Sequence, residues 1–374
     1  MRFKKMILKD LFIKNIGILM LGAAVLLSFG CSGQKLGDSS ETGNTGGTIR
    51  LQGSGATFPK PIYEKWANEY GKLHPNVKID YQGTGSGAGQ KALLTKTADF
   101  GASDDPMSDE DLAKGGSPIL HIPTVLGAVV LTYNLKDVKE PLRLTPETIA
   151  NIYLGKIKKW NDPKLKADNP DAALPDGDIL PIYRADSSGT SAVFTDFLSK
   201  TNSEWKEKIG TNKQPSWITG VGIGAKGNDG VMGQVTQTPN TIGYVELTFA
   251  KENNLTAALV KNRSGEFVAA TSESVAAAAA ETVADMPDDL RMQITDTAAK
   301  AGYPIASYTY ILVYKDQTNA ASGKVLTDFL WWTLHDGSSF VNDLHYVALP
   351  ADVLKKVEAK IDSMTSGGKA LRQQ

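Results

Sequence analysis

The sequence predicts an α/β fold, and three observations carry that prediction. Short runs of alternating or continuous apolar residues take turns along the chain with stretches whose apolar residues recur at helical spacing. Three of the strand-like runs are followed by a Gly/Ser/Thr loop that opens onto a helix start. No repeat of about 20 to 50 residues is apparent, so a solenoid or propeller reading has nothing to stand on. At 374 residues the chain is long enough for two domains of ordinary size.

The first segment differs in character from the rest. Residues 1–30 hold five basic residues (Arg2, Lys4, Lys5, Lys9, Lys14), one acid (Asp10) and an apolar run from Ile16 to Phe29, the pattern of an export signal and short for a membrane span. The single cysteine, Cys31, follows Gly30 and resembles the lipidated cysteine of a bacterial lipobox, although Ser28 and Phe29 depart from that pattern. One cysteine excludes an internal disulfide and any cysteine-based zinc or iron–sulfur site. Residues 31–48 are mostly Gly, Ser, Thr and Asn, a flexible tether. Without the five basic residues and one acid of positions 1–30, the chain keeps 35 Lys and Arg against 40 Asp and Glu, a net charge of −5. Nucleic acid, held mainly through its phosphates, is therefore not an expected partner.

The folded part is expected from Ile49. Ile49 and Leu51 alternate, as do Val77, Ile79 and Tyr81, while Val125–Tyr133, Ile179–Tyr183 and Tyr308–Tyr314 read as buried strands. Ile62, Tyr63, Trp66, Ala67 and Tyr70 mark one amphipathic helix, and Val193, Phe194, Phe197 and Leu198 a shorter one. The run Ala276–Ala280, continuing to Ala284 before Met286-Pro287, reads as a further helix.

The three loops are Gly53–Pro59, Gly83–Gly89 and Arg184–Ser191. Each places free backbone N–H groups and a hydroxyl at the positive end of a helix, where an anion is stabilised. Converging, they would cage a tetrahedral oxyanion; singly, each Ser or Thr could be no more than the cap of its own helix. Arg184 lies two residues before Asp186, so its fork could grip two anion oxygens while Asp186 steadies it, or the two could form a weak surface pair. Asp104 ends a short apolar stretch, and a carboxylate there would repel an anion unless that anion brought a proton. The glycines at 83 and 85 with Ala88 imitate a dinucleotide fingerprint, but the helix that follows is short. No phosphate loop ending in Lys-Ser or Lys-Thr and no Gly-x-Ser-x-Gly elbow occurs, and His74, His121, His335 and His345 lack metal-ligand spacing.

From about Ile49 to at least Pro350 the sequence resembles the periplasmic phosphate-binding proteins of bacterial phosphate ABC importers. The resemblance rests on residues 53–59, 81–83, 100–104, 152–160, 184–191, 226–230, 242–246 and 342–344. It implies phosphate contacts from Thr57, Phe58, Ser86, Asp104, Arg184, Ser188, Gly189 and Thr190, with Asp186 pairing Arg184. Asp105 departs from the family, which has a small residue there. The implied fold is a type II periplasmic-binding-protein fold, two lobes around a central cleft with two crossovers: residues 49–125 plus 306–374 as lobe one and 126–305 as lobe two. The implied function is capture of inorganic phosphate outside the cytoplasmic membrane and delivery to the membrane subunits and ATPase of an ABC importer. On this reading the protein is an exported monomer, periplasmic or at the cell surface, anchored through Cys31, with no cofactor, metal or catalytic residue. An exported phosphatase using Ser188, or a binding protein for sulfate or arsenate, is the alternative.

Overall fold

The computed structural model describes residues 47–372. The expected signal (1–30), Cys31 and positions 31–46 of the linker lie outside the described residues. Among the described residues no helix is long and apolar enough to cross a membrane.

Eight strands form one large sheet: β1 (Ile49–Gly55), β2 (Val77–Gly83), β3 (Phe100–Ser103), β4 (Ile119–Tyr133), β5 (Leu180–Arg184), β6 (Ile223–Ala225), β7 (Thr241–Glu246) and β8 (Ala306–Tyr314). Their spatial order is β2-β1-β3-β8-β4-β7-β5-β6. β1 runs parallel to β2 and β3, and β5 parallel to β6 and β7. β8 is antiparallel to β3 and β4, and β4 antiparallel to β7. The 15-residue β4 joins the two parallel groups: residues 119–128 lie against β8, and Val129–Tyr133 against β7. Its buried length, with no alternation of faces, is what a strand covered on both sides requires.

Four of the helices that follow strand ends matter for the site: α1 (Lys60–Leu73) after β1, α2 (Ser86–Leu94) after β2, α3 (Gly189–Thr201) after β5 and α4 (Gly227–Gln237) after β6. Each starts at the carboxyl end of its strand, the edge at which open parallel sheets bind ligands. Two aromatic clusters anchor the halves. Tyr70 of α1 packs edge-on to Phe329 and Trp332 at 5.2 and 5.4 Å, and Trp66 Nε1 donates to the Gly337 carbonyl at 2.7 Å. In the other half Phe194 of α3 stacks on Tyr244 of β7 at 4.3 Å, with Tyr153, Trp205 and Trp217 around them. Truncating a fully buried Phe194 to Ala should cost about 3–5 kcal/mol of stability.

One sequence expectation is corrected. The alanine-rich helix spans Ser272–Ala280 and does not continue to Ala284. Thr282 and Val283 donate to Ala279 and Ala280, three residues back, and the Thr282 hydroxyl also takes the Ala279 carbonyl at 2.8 Å. The local hydroxyl competes with the next helical turn and wins over alanine's propensity.

Candidate anion-binding site

The carboxyl ends of β1, β2, β3, β5 and β6 bring together Thr57, Phe58, Ser86, Asp104, the segment Arg184–Thr190 and the start of α4. Gly189 sits where an added Cβ would lie 2.4 Å from Ser86 Oγ and 2.6 Å from Asp104 Oδ2, so only glycine permits this approach. Gly85, at φ +99°, is equally confined: a Cβ there would meet Asp186 Oδ2 at 2.5 Å. The Gly83–Gly89 and Arg184–Ser191 loops therefore face each other, and a Cβ at Gly83 would lie 3.1 Å from Thr57 of the first loop.

Their helix starts are not all capped by side chains. Neither Pro59 before α1 nor Gly85 before α2 contributes a capping side chain, whereas Ser188 Oγ accepts from the Ser191 amide at 3.1 Å. The capping role is thus taken by Ser188, while Thr57 Oγ1 accepts from Asn228 and Ser86 Oγ accepts from the Asp104 amide at 3.3 Å. The amides of Thr57, Phe58, Ser86, Gly189 and Thr190 donate to no acceptor among the described residues. A buried N–H left unpaired costs about 1–3 kcal/mol, so these helix starts have donors to offer a ligand.

Arg184 is buried, at 1% exposure, and the weak surface pair is excluded. Its Nε and Nη2 donate to the two oxygens of Asp186 at 2.8 and 2.6 Å, and Nη1 donates to Thr190 Oγ1 at 3.2 Å. Its backbone is fixed as well: the amide donates to Tyr244 Oη at 3.1 Å, and the carbonyl accepts from Trp217 Nε1 at 3.2 Å. Burial pushes the Asp186 carboxyl up, but the Arg184 hydrogen bonds and charge, with the Gly227 amide at 3.0 Å, hold it below the usual range. The pair is therefore ionised, in fork geometry.

Asp104 is the opposite case. It too is about 1% exposed, and Oδ1 accepts from Thr309 Oγ1 at 2.8 Å, yet Oδ2 has no partner among the described residues. Burial drives its pKa up to about 7, against the lowering effects of the Thr309 bond, the Arg184 charge and the neighbouring Ser86 hydroxyl, with Asp105 adding to the rise. Its Oδ2 lies at the Gly189 end of α3.

Sequence reasoning missed several supporting residues. Asn228, at the start of α4, donates from its amide and Nδ2 to Thr57 Oγ1 at 3.1 and 2.9 Å, and from Nδ2 to Thr190 Oγ1 at 3.2 Å. Both hydroxyls are thereby occupied as acceptors and keep their protons for the site. Tyr346 donates to the Phe58 carbonyl at 2.6 Å and fixes that carbonyl in place. Only the motif at 226–230 pointed toward Asn228; nothing local singled out Thr309 or Tyr346.

A family model described as a PBP superfamily domain matches residues 40–336. The chain is 40% identical to the phosphate-binding protein PstS of Pasteurella multocida, over 86% of this chain and 93% of that protein. It is 38% identical to the phosphate-binding protein PstS of Methanocaldococcus jannaschii, over 92% and 94%. The solved phosphate-binding protein of Stenotrophomonas maltophilia matches with a TM-score of 0.65 at 21% identity, covering 83% of this chain and 93% of that one.

Proposed function

This chain belongs to the PBP superfamily and, within it, to the phosphate-binding proteins named PstS, and from that premise we propose that it captures inorganic phosphate outside the cytoplasmic membrane and passes it to an ABC importer. The observation that supports the reading is the donor set at these loops: five buried residues whose amides have no acceptor among the described residues, the Thr57 and Thr190 hydroxyls, an ion-paired guanidinium, and an Asp104 oxygen without a partner among the described residues. Phosphate contacts fall to Thr57, Phe58, Ser86, Asp104, Arg184, Ser188, Gly189 and Thr190, with Asp186 holding Arg184.

Selectivity follows from proton counting. Near neutral pH phosphate still carries an O–H, and one proton between Asp104 and the anion makes a charge-assisted hydrogen bond. Sulfate brings no proton. With Asp104 ionised it sets two bare oxygens against each other in a site where the repulsion is poorly screened, and with Asp104 protonated the repulsion disappears.

Two lobes, 49–125 plus 306–374 and 126–305, close over the anion. The change of partner along β4, from β8 to β7 after Ala128, supports a hinge there, because the contacts divide between the two strand groups. The mature protein is a monomer, exported and tethered through a lipidated Cys31, as the basic and apolar leader supports. Calorimetry with phosphate tests the reading: one tight site is expected, and no heat at micromolar protein contradicts it. Scattering curves that do not change on binding would remove the closure, and an unmodified N-terminus other than Cys31 in membrane-extracted protein would remove the anchor.

A further inference from the structure

Beside the anion site, outside the contacts assigned above, lies a further polar bridge between the two strand groups. Lys213, on the segment after α3, reaches across to Asp105 Oδ2 at 3.2 Å and to Gln90 Oε1 of α2 at 2.8 Å. Gln90 in turn donates through Nε2 to Ser103 Oγ at 3.0 Å and to the Asp105 carbonyl at 2.9 Å, on either side of Asp104 in sequence. The other oxygen of Asp105 accepts from Gln293 Nε2 at 3.2 Å. Lys213 is also fastened to the anion loop, because its carbonyl accepts the Ser188 amide at 2.8 Å. The side chains of Lys213 and Asp105 are 22% and 21% exposed, so water screens the pair less than a fully exposed one.

We propose that Lys213 and Asp105 form a latch that holds the closed state of this binding protein and slows release of the anion. The inference rests on the two-lobe reading of the site. The latch is made only when the Ser188 loop and the Asp104 loop meet, since its two ends belong to the two sides that the ligand bridges. The backbone tie from Ser188 to Lys213 means that ordering the anion loop also sets the latch residue. Asp105, unusual by resemblance, has its charge met by Lys213, which keeps a second carboxylate from adding its full repulsion next to Asp104.

The test is phosphate dissociation by stopped flow, with equilibrium affinity, for wild type, Lys213→Met, Asp105→Ala and the double variant at low and high salt. A latch predicts that both single substitutions speed release about three- to tenfold with association little changed, that the double variant is no worse than the worse single, and that high salt narrows the difference. A field effect on the anion alone predicts opposite signs: Lys213→Met weakens binding and Asp105→Ala strengthens it. That result overturns the latch, as does release at the wild-type rate in every variant. Gln293→Leu, which leaves both charges in place, should change release less than either single; an equal or larger effect would place the constraint on Gln293 and overturn the Lys213 assignment. Wild-type protein that binds no phosphate overturns the site reading and the latch together, whereas intact binding with unchanged variants overturns the latch alone.

Discussion

The two halves of the site invest charge in opposite ways. The Arg184 half is complete within the protein: the guanidinium has a bidentate carboxylate, a threonine hydroxyl and a backbone fixed by Tyr244 and Trp217. The Asp104 half is incomplete, with one carboxyl oxygen bonded to Thr309 and the other without a partner among the described residues. A satisfied cation is preorganised and supplies attraction to any oxyanion. On the proposed reading a buried acid with a raised pKa supplies discrimination, because its energy would depend on whether the ligand brings a proton. Affinity and selectivity are thereby separable, and substitutions on either side should pull them apart.

The largest effect is expected from Arg184→Met, which removes the positive charge and leaves Asp186 facing the site alone. Loss of one member of a buried charged pair costs about 2–5 kcal/mol, so phosphate affinity should fall by roughly thirtyfold or more, and sulfate affinity with it. A variant that loses phosphate but keeps sulfate would break the division of labour. Calorimetry with both anions checks it.

Next comes the cost of Asp104 to the ligand-free fold. Its folded pKa, about 7, lies above the ordinary carboxylate value, so the folded state binds the proton more tightly than the unfolded chain. Stability is therefore lost as pH rises from the unfolded value, near 4, through about 7, and Asp104→Asn should escape that loss. Without phosphate the variant should match wild type at pH 4 and gain a few kcal/mol above pH 7 in urea unfolding. Equal pH profiles would show that the buried carboxyl is not under strain.

The smallest effect belongs to single hydroxyls. Thr57→Val removes one neutral donor and should weaken phosphate by about 0.5–1.5 kcal/mol, or roughly two- to tenfold. If it proves as damaging as Arg184→Met, the donors share the work equally and the two halves do not differ as described.

How much of this was legible in the sequence follows the range of the interactions. The strand-loop-helix units at β1, β2 and β5 were readable because turn glycines, hydroxyls and helical spacing are local signals, and Arg184 with Asp186 is two residues apart. Helix α4 was not read because its start, Lys226 followed by Gly227 at φ +71°, supplies no capping side chain to signal it. Asn228 and Thr309 were missed for another reason. Their partners, Thr57 and Asp104, are 171 and 205 residues away, and only the order of strands brings them together. The Lys213 to Asp105 pair is hidden in the same way.

The central claim is that one proton shared with Asp104 separates phosphate from sulfate, and sulfate affinity of wild type against pH tests it most directly. Sulfate should bind only when Asp104 takes a proton from solution, so its Kd should rise about tenfold per pH unit above about 7 and level off below it. In Asp104→Asn the same curve should be flat. Phosphate should stay far tighter than sulfate at pH 8 in wild type. Sulfate that binds wild type as tightly as phosphate at pH 8, or with no dependence on pH, would contradict the account.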